Sequence, residues 1–459
     1  MIETRSPGIA SVLGNWRQET GPLAQTLAAA VRDAVIDGRI PVGTRLPSER
    51  ALAAALRVSR GTVVTTLAEL RDTGWVRTNH GSGSNVRLPP EITERTAPWS
   101  VDHGDGLDFT RAVPAAPHAA YLEASRRAVE RSASLLMDSA EPDAGLPQLR
   151  ELLADRYTRE GLPTRPDQIL VTSGARAAFT LLAEHLHDRA RPVLVESPTY
   201  HGALAVLRRR RARLAASPVT SDGWDPARFA HTVKTVRPGL AYLTPDFHNP
   251  TGALMPADQR DHVAALASRN DMTVIADETL RDLDLRTPPE PVPHLAGRAV
   301  VAIGSMGKLV WGGLRVGWLR TDAARIRELL HNPLQARLSP PPLEQLIACE
   351  LLADLQDLRR DRRDRLRAQR DHLAALLEGA GEWSFTLPPG GLCLWLRLHG
   401  TTATALATRA AGQGLKLSPG PTFSADRTLT HYLRLPYTAT HETLTRAVAV
   451  LTGQETTRR

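Results

Sequence analysis

The sequence predicts an α/β chain: a small helical head closed by a hairpin, then a large domain on a mainly parallel sheet. Three observations predict it. From Leu107 onward, apolar runs of four or five residues alternate with long amphipathic patterns, as in strands joined by crossover helices. Between about Gly21 and Arg87 the pattern is instead one of short helices ended by a Gly/Ser turn. At 459 residues there is room for roughly three domains, or for one small and one large. The boundaries read as 1–87 for the head, 88–106 for a linker of prolines and glycines with few aliphatics, and 107–459 for the large domain.

Composition removes several classes. Apolar residues make up 42% and charged residues 23%, the mix of a globular chain with a large core. No run reaches the ~18 apolar residues of a membrane span. The start MIETRSPGIASVLGNW lacks the basic and apolar stretches of a secretion signal, so a cytoplasmic address is expected. Cys349 and Cys393 lie far apart without a CxxC neighbour, which excludes a disulfide scaffold and a zinc finger. The fifteen histidines show no ligand spacing, and no metal is expected. Only Lys234, Lys308 and Lys416 are lysines, so arginine supplies the other 54 of 57 basic residues. Chemistry that needs an amine therefore has three candidates, and the arginine-rich surface suits phosphate.

In the head, Leu23, Leu27, Val31, Ala34 and Val35 fall on one helical face, and Gly38 ends the run. Ser48 is placed to cap a short helix carrying Leu52 and Leu56. Ser59 is placed to cap another whose buried stripe is Val63, Leu67 and Leu70. Only a few residues around Val58 join the two, as in a helix-turn-helix. A hairpin follows, with strands near Trp75–Thr78 and Asn85–Arg87 and a turn at 79–83. From Arg39 to Arg60 there are five arginines (Arg39, Arg45, Arg50, Arg57, Arg60) against the single acid Glu49. Arg60 and Thr62 occupy the helix start that enters the major groove in this motif. The same residues also fit a three-helix packing unit with a solvated basic edge, and spacing alone does not choose.

The string LPSERALAAALRVSRGTVV, with Gly43-Thr44-Arg45 before it and Gly81-Ser82-Gly83 after it, resembles the winged helix-turn-helix of the GntR regulators over about residues 22–87. The resemblance implies double-stranded promoter DNA as a partner. It implies DNA contacts at Arg45, Ser48, Arg50, Ser59, Arg60 and Thr62, with Gly81 in the wing. Arg57 departs from it, since glycine is frequent before the Val-Ser-Arg.

In the large domain, polar residues recur just after the apolar runs. Ile169–Val171 leads into Thr172-Ser173-Gly174-Ala175, and Val193–Val195 into Glu196-Ser197-Pro198-Thr199-Tyr200. Tyr242-Leu243 leads towards Asp246-Phe247-His248-Asn249-Pro250-Thr251-Gly252. Val274–Ala276 leads into Asp277-Glu278, and Val300–Ile303 into Gly304-Ser305-Met306-Gly307-Lys308. If the runs are parallel strands, these groups gather at the carboxyl edge, where open α/β sheets bind ligands. Ser173-Gly174-Ala175 opens a helix and can cradle a phosphate, with Ser305 and Arg315 completing the site. Tyr200 offers a face for ring stacking. Asp277 suits a protonated pyridine nitrogen, Asn249 suits a phenolate oxygen, and Lys308 supplies an amine for a Schiff base. Together they describe pyridoxal 5′-phosphate (PLP).

This order resembles the fold type I, aspartate-aminotransferase-like enzymes over roughly residues 107–455. The resemblance implies a phosphate pocket at Ser173, Gly174, Ala175, Ser305 and Arg315, and a stacking position at Tyr200. It implies ring contacts from Asn249 and Asp277, the covalent link at Lys308, and a substrate carboxylate on Arg434. Joined to a GntR-like head, the chain resembles the MocR subfamily of transcriptional regulators. That implies a head-to-tail homodimer that senses PLP, or an amino compound reacting with it, with weak or no transaminase turnover. The alternative is a catalytically active aminotransferase carrying a helix-turn-helix. Three departures bear on that choice. Leu280 stands where a tyrosine is common three residues after the pyridine Asp. Ser139 and Ala140 lie where a partner-subunit tyrosine is expected, and Arg176 replaces a frequent Gln. The arginine-rich runs at 208–213 and 357–373 read as solvated helix faces.

Overall fold

The computed structural model describes residues 13, 16–18, 21–36, 40, 44–79, 83–87, 89, 107–137, 143–379 and 381–453. They divide into two compact units. One contains the chain up to Thr110 together with Leu398–Pro419, and the other contains Arg111–Arg397 and the chain from Gly420.

In the first unit, helices α1 (Leu23–Ile36), α2 (Glu49–Leu56) and α3 (Arg60–Asp72) precede strands β1 (Val76–Asn79) and β2 (Gly83–Val86). Ser48 Oγ accepts from Ala51 N at 3.3 Å and Ser59 Oγ from Thr62 N at 3.0 Å, so both expected caps form. Leu27, Val31, Leu52, Leu56, Val63, Leu67 and Leu70 are buried with Trp75, Val76 and Val86 in one core. β1 and β2 pair antiparallel, Val76 against Val86. Thr44–Leu46 lies along β2, through Leu46 N–H to Ser84 O and Val86 N–H to Thr44 O. Arg57 caps α2 at φ 51° and ψ 46°, left-handed backbone that glycine adopts without steric cost. Gly38, Arg39, Gly43, Gly81, Ser82, nearly all of the linker, Ser139 and Ala140 lie outside the described residues.

The second unit is organised by an eight-stranded sheet. Its strands are β3 (Ile169–Thr172), β4 (Val193–Ser197), β5 (Leu214–Thr220), β6 (Gly223–Trp224), β7 (Leu240–Leu243), β8 (Thr273–Asp277), β9 (Val300–Ser305) and β10 (Gly317–Arg320), in the order β3-β10-β9-β8-β7-β4-β5-β6. The five neighbours β9, β8, β7, β4 and β5 run parallel. β10 is antiparallel to both β9 and β3, so β3 again points the same way as the parallel set. β3, β4, β7 and β8 are buried along nearly their whole length, as a sheet covered on both faces requires. Helices α4 (Ala175–Leu186) and α5 (His201–Arg209) follow β3 and β4. A smaller antiparallel pair, β11 (Cys393–Leu398) and β12 (Tyr432–Pro436), sets Arg434 opposite Trp395. The carboxyl ends of the parallel strands thus lie along one edge, as expected.

Candidate functional site

The residues expected to hold a phosphate come from the end of β3 and the start of α4. Gly174 caps α4 at φ +102°, a conformation that requires glycine, and the helix opens at Ala175. A helix start carries the positive end of the helix dipole and suits an anion, and within this one Ala177 N donates to Gly174 O at 2.9 Å. β10 closes the cradle: Gly317 pairs with Thr172 on one side and with Ser305 on the other. A Cβ on Gly317 would stand 2.6 Å from the Gly174 backbone, so this approach also requires glycine. Ser305 Oγ accepts from Gly307 N at 3.0 Å and donates to Val316 O at 3.2 Å. Arg315 is exposed at φ 57°, two residues before β10 begins.

Asp277 ends β8 and is buried. Its Oδ1 accepts from Thr279 N at 3.0 Å, and its Oδ2 accepts from the Tyr242 hydroxyl. Burial pushes this carboxyl up, opposed by the Tyr242 and Thr279 hydrogen bonds and by Lys308. Lys308 Nζ donates to Ala112 O at 2.8 Å. Burial, then the positive charge of Arg434, lowers the amine to about 8. Arg434 is itself buried, with its guanidinium 4.7 Å from the Phe423 ring.

Tyr200 precedes α5. The Arg176 guanidinium lies over its ring at 5.9 Å and donates to its hydroxyl at 2.6 Å. Asn249 carries a buried amide oxygen with no hydrogen-bond partner among the described residues. Its loop is held rigidly from below. Glu196 accepts from Trp224 Nε1 at 2.8 Å and from Thr244 N at 2.9 Å, and lies 3.2 Å from His248 Nε2. Asp246 pairs with Arg260 at 2.8 Å, both buried. Leu280 is buried, so the position three residues beyond Asp277 offers no hydroxyl.

Ser173, Gly174, Tyr200, Asn249, Asp277, Ser305, Lys308 and Arg315 therefore lie on strand ends and loops of one unit, with Ala175 at the start of α4 and Arg434 within β12. Asp277, Arg434 and Arg176 are each close enough to perturb Lys308 electrostatically. Sequence reasoning missed Tyr242 and His201. His201 lies edge-on to Tyr200 and Phe423. Burial first, then Arg434, Arg176 and Lys308, lower it to about 3, so it is neutral at physiological pH. The signal for His201 was its place one residue after the stacking tyrosine. Tyr242 had none, because its apolar strand looked complete.

The residues fit PLP. The orphaned Asn249 amide can turn towards a ligand oxygen. Two glycines hold the cradle open, and a partly neutral amine shares the site with a buried carboxylate.

In the head, Arg45, Ser48, Arg50, Ser59 and Arg60 are exposed. Arg60 reaches Glu49 at 3.4 Å with most of its side chain in solvent. Ser59 and Thr62 hydroxyls bond each other at 2.8 Å, so their first duty is to cap α3. Val64 and Thr65 are also exposed on α3 and were not singled out from sequence; their place opposite the Val63–Leu67 stripe would have found them. Among the described residues there is no cluster able to hold a metal and no helix long and apolar enough to cross a membrane.

The fold and site define a class: an aminotransferase-like, PLP-dependent fold joined to a regulatory head. The aminotransferase class I and II model matches residues 116–451, and the model for bacterial regulatory proteins of the gntR family matches residues 23–86. The chain is 30% identical to the HTH-type pyridoxine biosynthesis transcriptional regulator PdxR of Corynebacterium glutamicum, over 76% of this chain and 78% of that protein. It is 27% identical to the probable rhizopine catabolism regulatory protein MocR of Rhizobium meliloti, over 87% and 86% of the two chains. The solved structure of LysN, the α-aminoadipate aminotransferase of Thermus thermophilus, matches with a TM-score of 0.71 at 26% identity, over 79% of this chain and 96% of that one. The chain belongs to the MocR-type transcriptional regulators, a GntR helix-turn-helix fused to an aminotransferase class I/II domain.

Proposed function

We propose that this regulator binds promoter DNA through residues 1–87 and senses PLP, or an amino compound reacting with it, through residues 107–459, with 88–106 as the link. The observation that carries the reading is Lys308: an amine lowered to about 8 beside the buried carboxylate of Asp277. When bound, PLP supplies an aldehyde that condenses with primary amines and a ring that withdraws electrons. Ser173, Gly174, Ala175, Ser305 and Arg315 would hold its phosphate, and Tyr200 would offer its ring a stacking face. Asn249 meets the ring oxygen, Asp277 faces the ring nitrogen, and Lys308 is the amine to be linked. Arg434 would hold the carboxylate of an amino effector, with the Phe423 ring 4.7 Å from its guanidinium as a cation–π partner. The protein works in the cytoplasm as a head-to-tail homodimer. Exposed Leu122 and Val129, seven residues apart on one helix, support self-association.

Arg45, Ser48, Arg50, Ser59, Arg60, Thr62 and Gly81 contact the duplex. Arg60→Ala should cost about 1–3 kcal/mol and abolish discrimination between the protein's own promoter and random duplex. Arg45→Ala should mainly flatten the salt dependence, by about one in slope. Wild-type affinity for the promoter in both variants would refute DNA reading by this unit. The buried Leu280 favours sensing over turnover, because no hydroxyl stands there to tune the site. Transamination with a keto-acid acceptor near the ~10 s⁻¹ typical of enzymes would favour the catalytic alternative.

A further inference from the structure

Asp277 has a buried partner that no motif announces. Tyr242 stands on β7, the neighbour of β8, and pairs with Ile275 across the parallel ladder. Side chains alternate along a strand, so Asp277, two residues beyond Ile275, projects from the same face. The Tyr242 hydroxyl donates to Asp277 Oδ2, while Thr279 N donates to Oδ1. Tyr242 is 1% exposed, and its ring is held edge-on by Phe179 at 4.7 Å and 65°. A carboxylate has about four lone-pair directions, so two remain for a ligand.

We propose that Tyr242 is a positioning residue that holds Asp277 as an oriented anion, making the site select an aromatic ring with a protonated nitrogen over the same ring without one. This rests on the cofactor reading above and deepens it. Burial alone pushes the Asp277 carboxyl up, and the Tyr242 hydroxyl is the foremost of the groups that pull it back, ahead of Thr279 and Lys308. Burial and the adjacent carboxylate also push the Tyr242 phenol well up, so it stays a proton donor at every physiological pH. With phenylalanine there, Asp277 loses its donor from β7 and keeps Thr279, through side chain and N–H, and Lys308. The neutral acid then competes with the anion that a ring N–H⁺ requires.

The test uses full-length protein and two probes. One is PLP, and the other is a carbocyclic analogue with the same aldehyde, hydroxyl and phosphate arm but a C–H in place of the ring nitrogen. Tyr242→Phe should weaken PLP about tenfold at neutral pH and leave the analogue within about twofold, because a hydrogen bond to a charged group is lost only where the charge is used. The pH profile gives the second readout. PLP affinity is complete while Asp277 is ionised and falls as pH drops through its pKa, so Tyr242→Phe should move that fall to higher pH. Equal weakening of both probes would mean that Tyr242 only packs the core and would overturn the proposal, as would an unchanged PLP profile. Asp277→Asn is the second variant: it should abolish the preference between the probes, and a preference that survives it overturns the proposal without any change at Tyr242. Wild-type protein that binds neither probe overturns the cofactor reading, and this proposal with it.

Discussion

An amine lowered to about 8 is divided between its neutral and charged forms under physiological conditions, and this makes Lys308 reactive without a dedicated base. The causes can be separated by mutation. Burial contributes most, and the Arg434 guanidinium comes next. Only the free amine attacks an aldehyde, so the rate at which apoprotein gains a visible absorption band with PLP should rise with pH. The midpoint should lie near 8. Arg434→Ala removes a neighbouring positive charge, favours the ammonium and should move the midpoint upward. Rapid-mixing absorbance across a pH series measures both. A midpoint at the ordinary lysine value of about 10.4 would contradict the environment described for Lys308.

At the scale of elements, β10 is the strand that assembles the cradle. It runs against its neighbours, and its Gly317 is registered with Thr172 and with Ser305 at once. That double pairing brings the end of β3 and the end of β9 together, although they are far apart in the chain. Gly317→Ala places a methyl group 2.6 Å from the Gly174 backbone, which must then retreat. Overpacking of this kind costs about 1–3 kcal/mol. The expected result is weaker PLP binding by tenfold or more, with the Lys308 midpoint unchanged because β10 does not supply its neighbours. Calorimetric titration of the variant against wild type, beside the same pH series, separates the two effects. Loss of the Lys308 midpoint together with affinity would show that the substitution disturbs the whole carboxyl edge.

For the whole molecule, the two units invite a thermodynamic test. A ligand that binds only the folded state stabilises it by mass action, about 2.7 kcal/mol at a hundred times its dissociation constant. Scanning calorimetry with saturating PLP should therefore raise the melting of the aminotransferase-like unit. Lys308→Ala should lose most of that gain, since only the non-covalent contacts remain. Equal stabilisation of wild type and Lys308→Ala would remove the lysine from the binding energy.

The sequence by itself determined the order of parts and where along the chain the candidate site groups fall. Ser48 and Ser59 were legible as caps because a cap is a local event, set by a side chain and an N–H three residues on. Ser173, Asp277 and Ser305 were legible because each follows an apolar run within two residues, and parallel strands must end at a common edge. Lys308 stood out through the scarcity of lysine. The tertiary structure alone decided which residues stand behind these groups. Tyr242 reaches Asp277 across 35 residues of sequence because β7 neighbours β8. Glu196 finds Trp224, Thr244 and His248 through the β4–β7 pairing and the turn beyond β5. The neutrality of His201 and the lowered amine of Lys308 likewise arise first from burial in the packed fold and then from charges brought in by distant elements. Apolar periodicity specifies that a strand is buried but not which strand lies beside it. Strand adjacency, and with it the hydrogen bonds and electrostatic fields that tune the site, comes from packing the whole sheet.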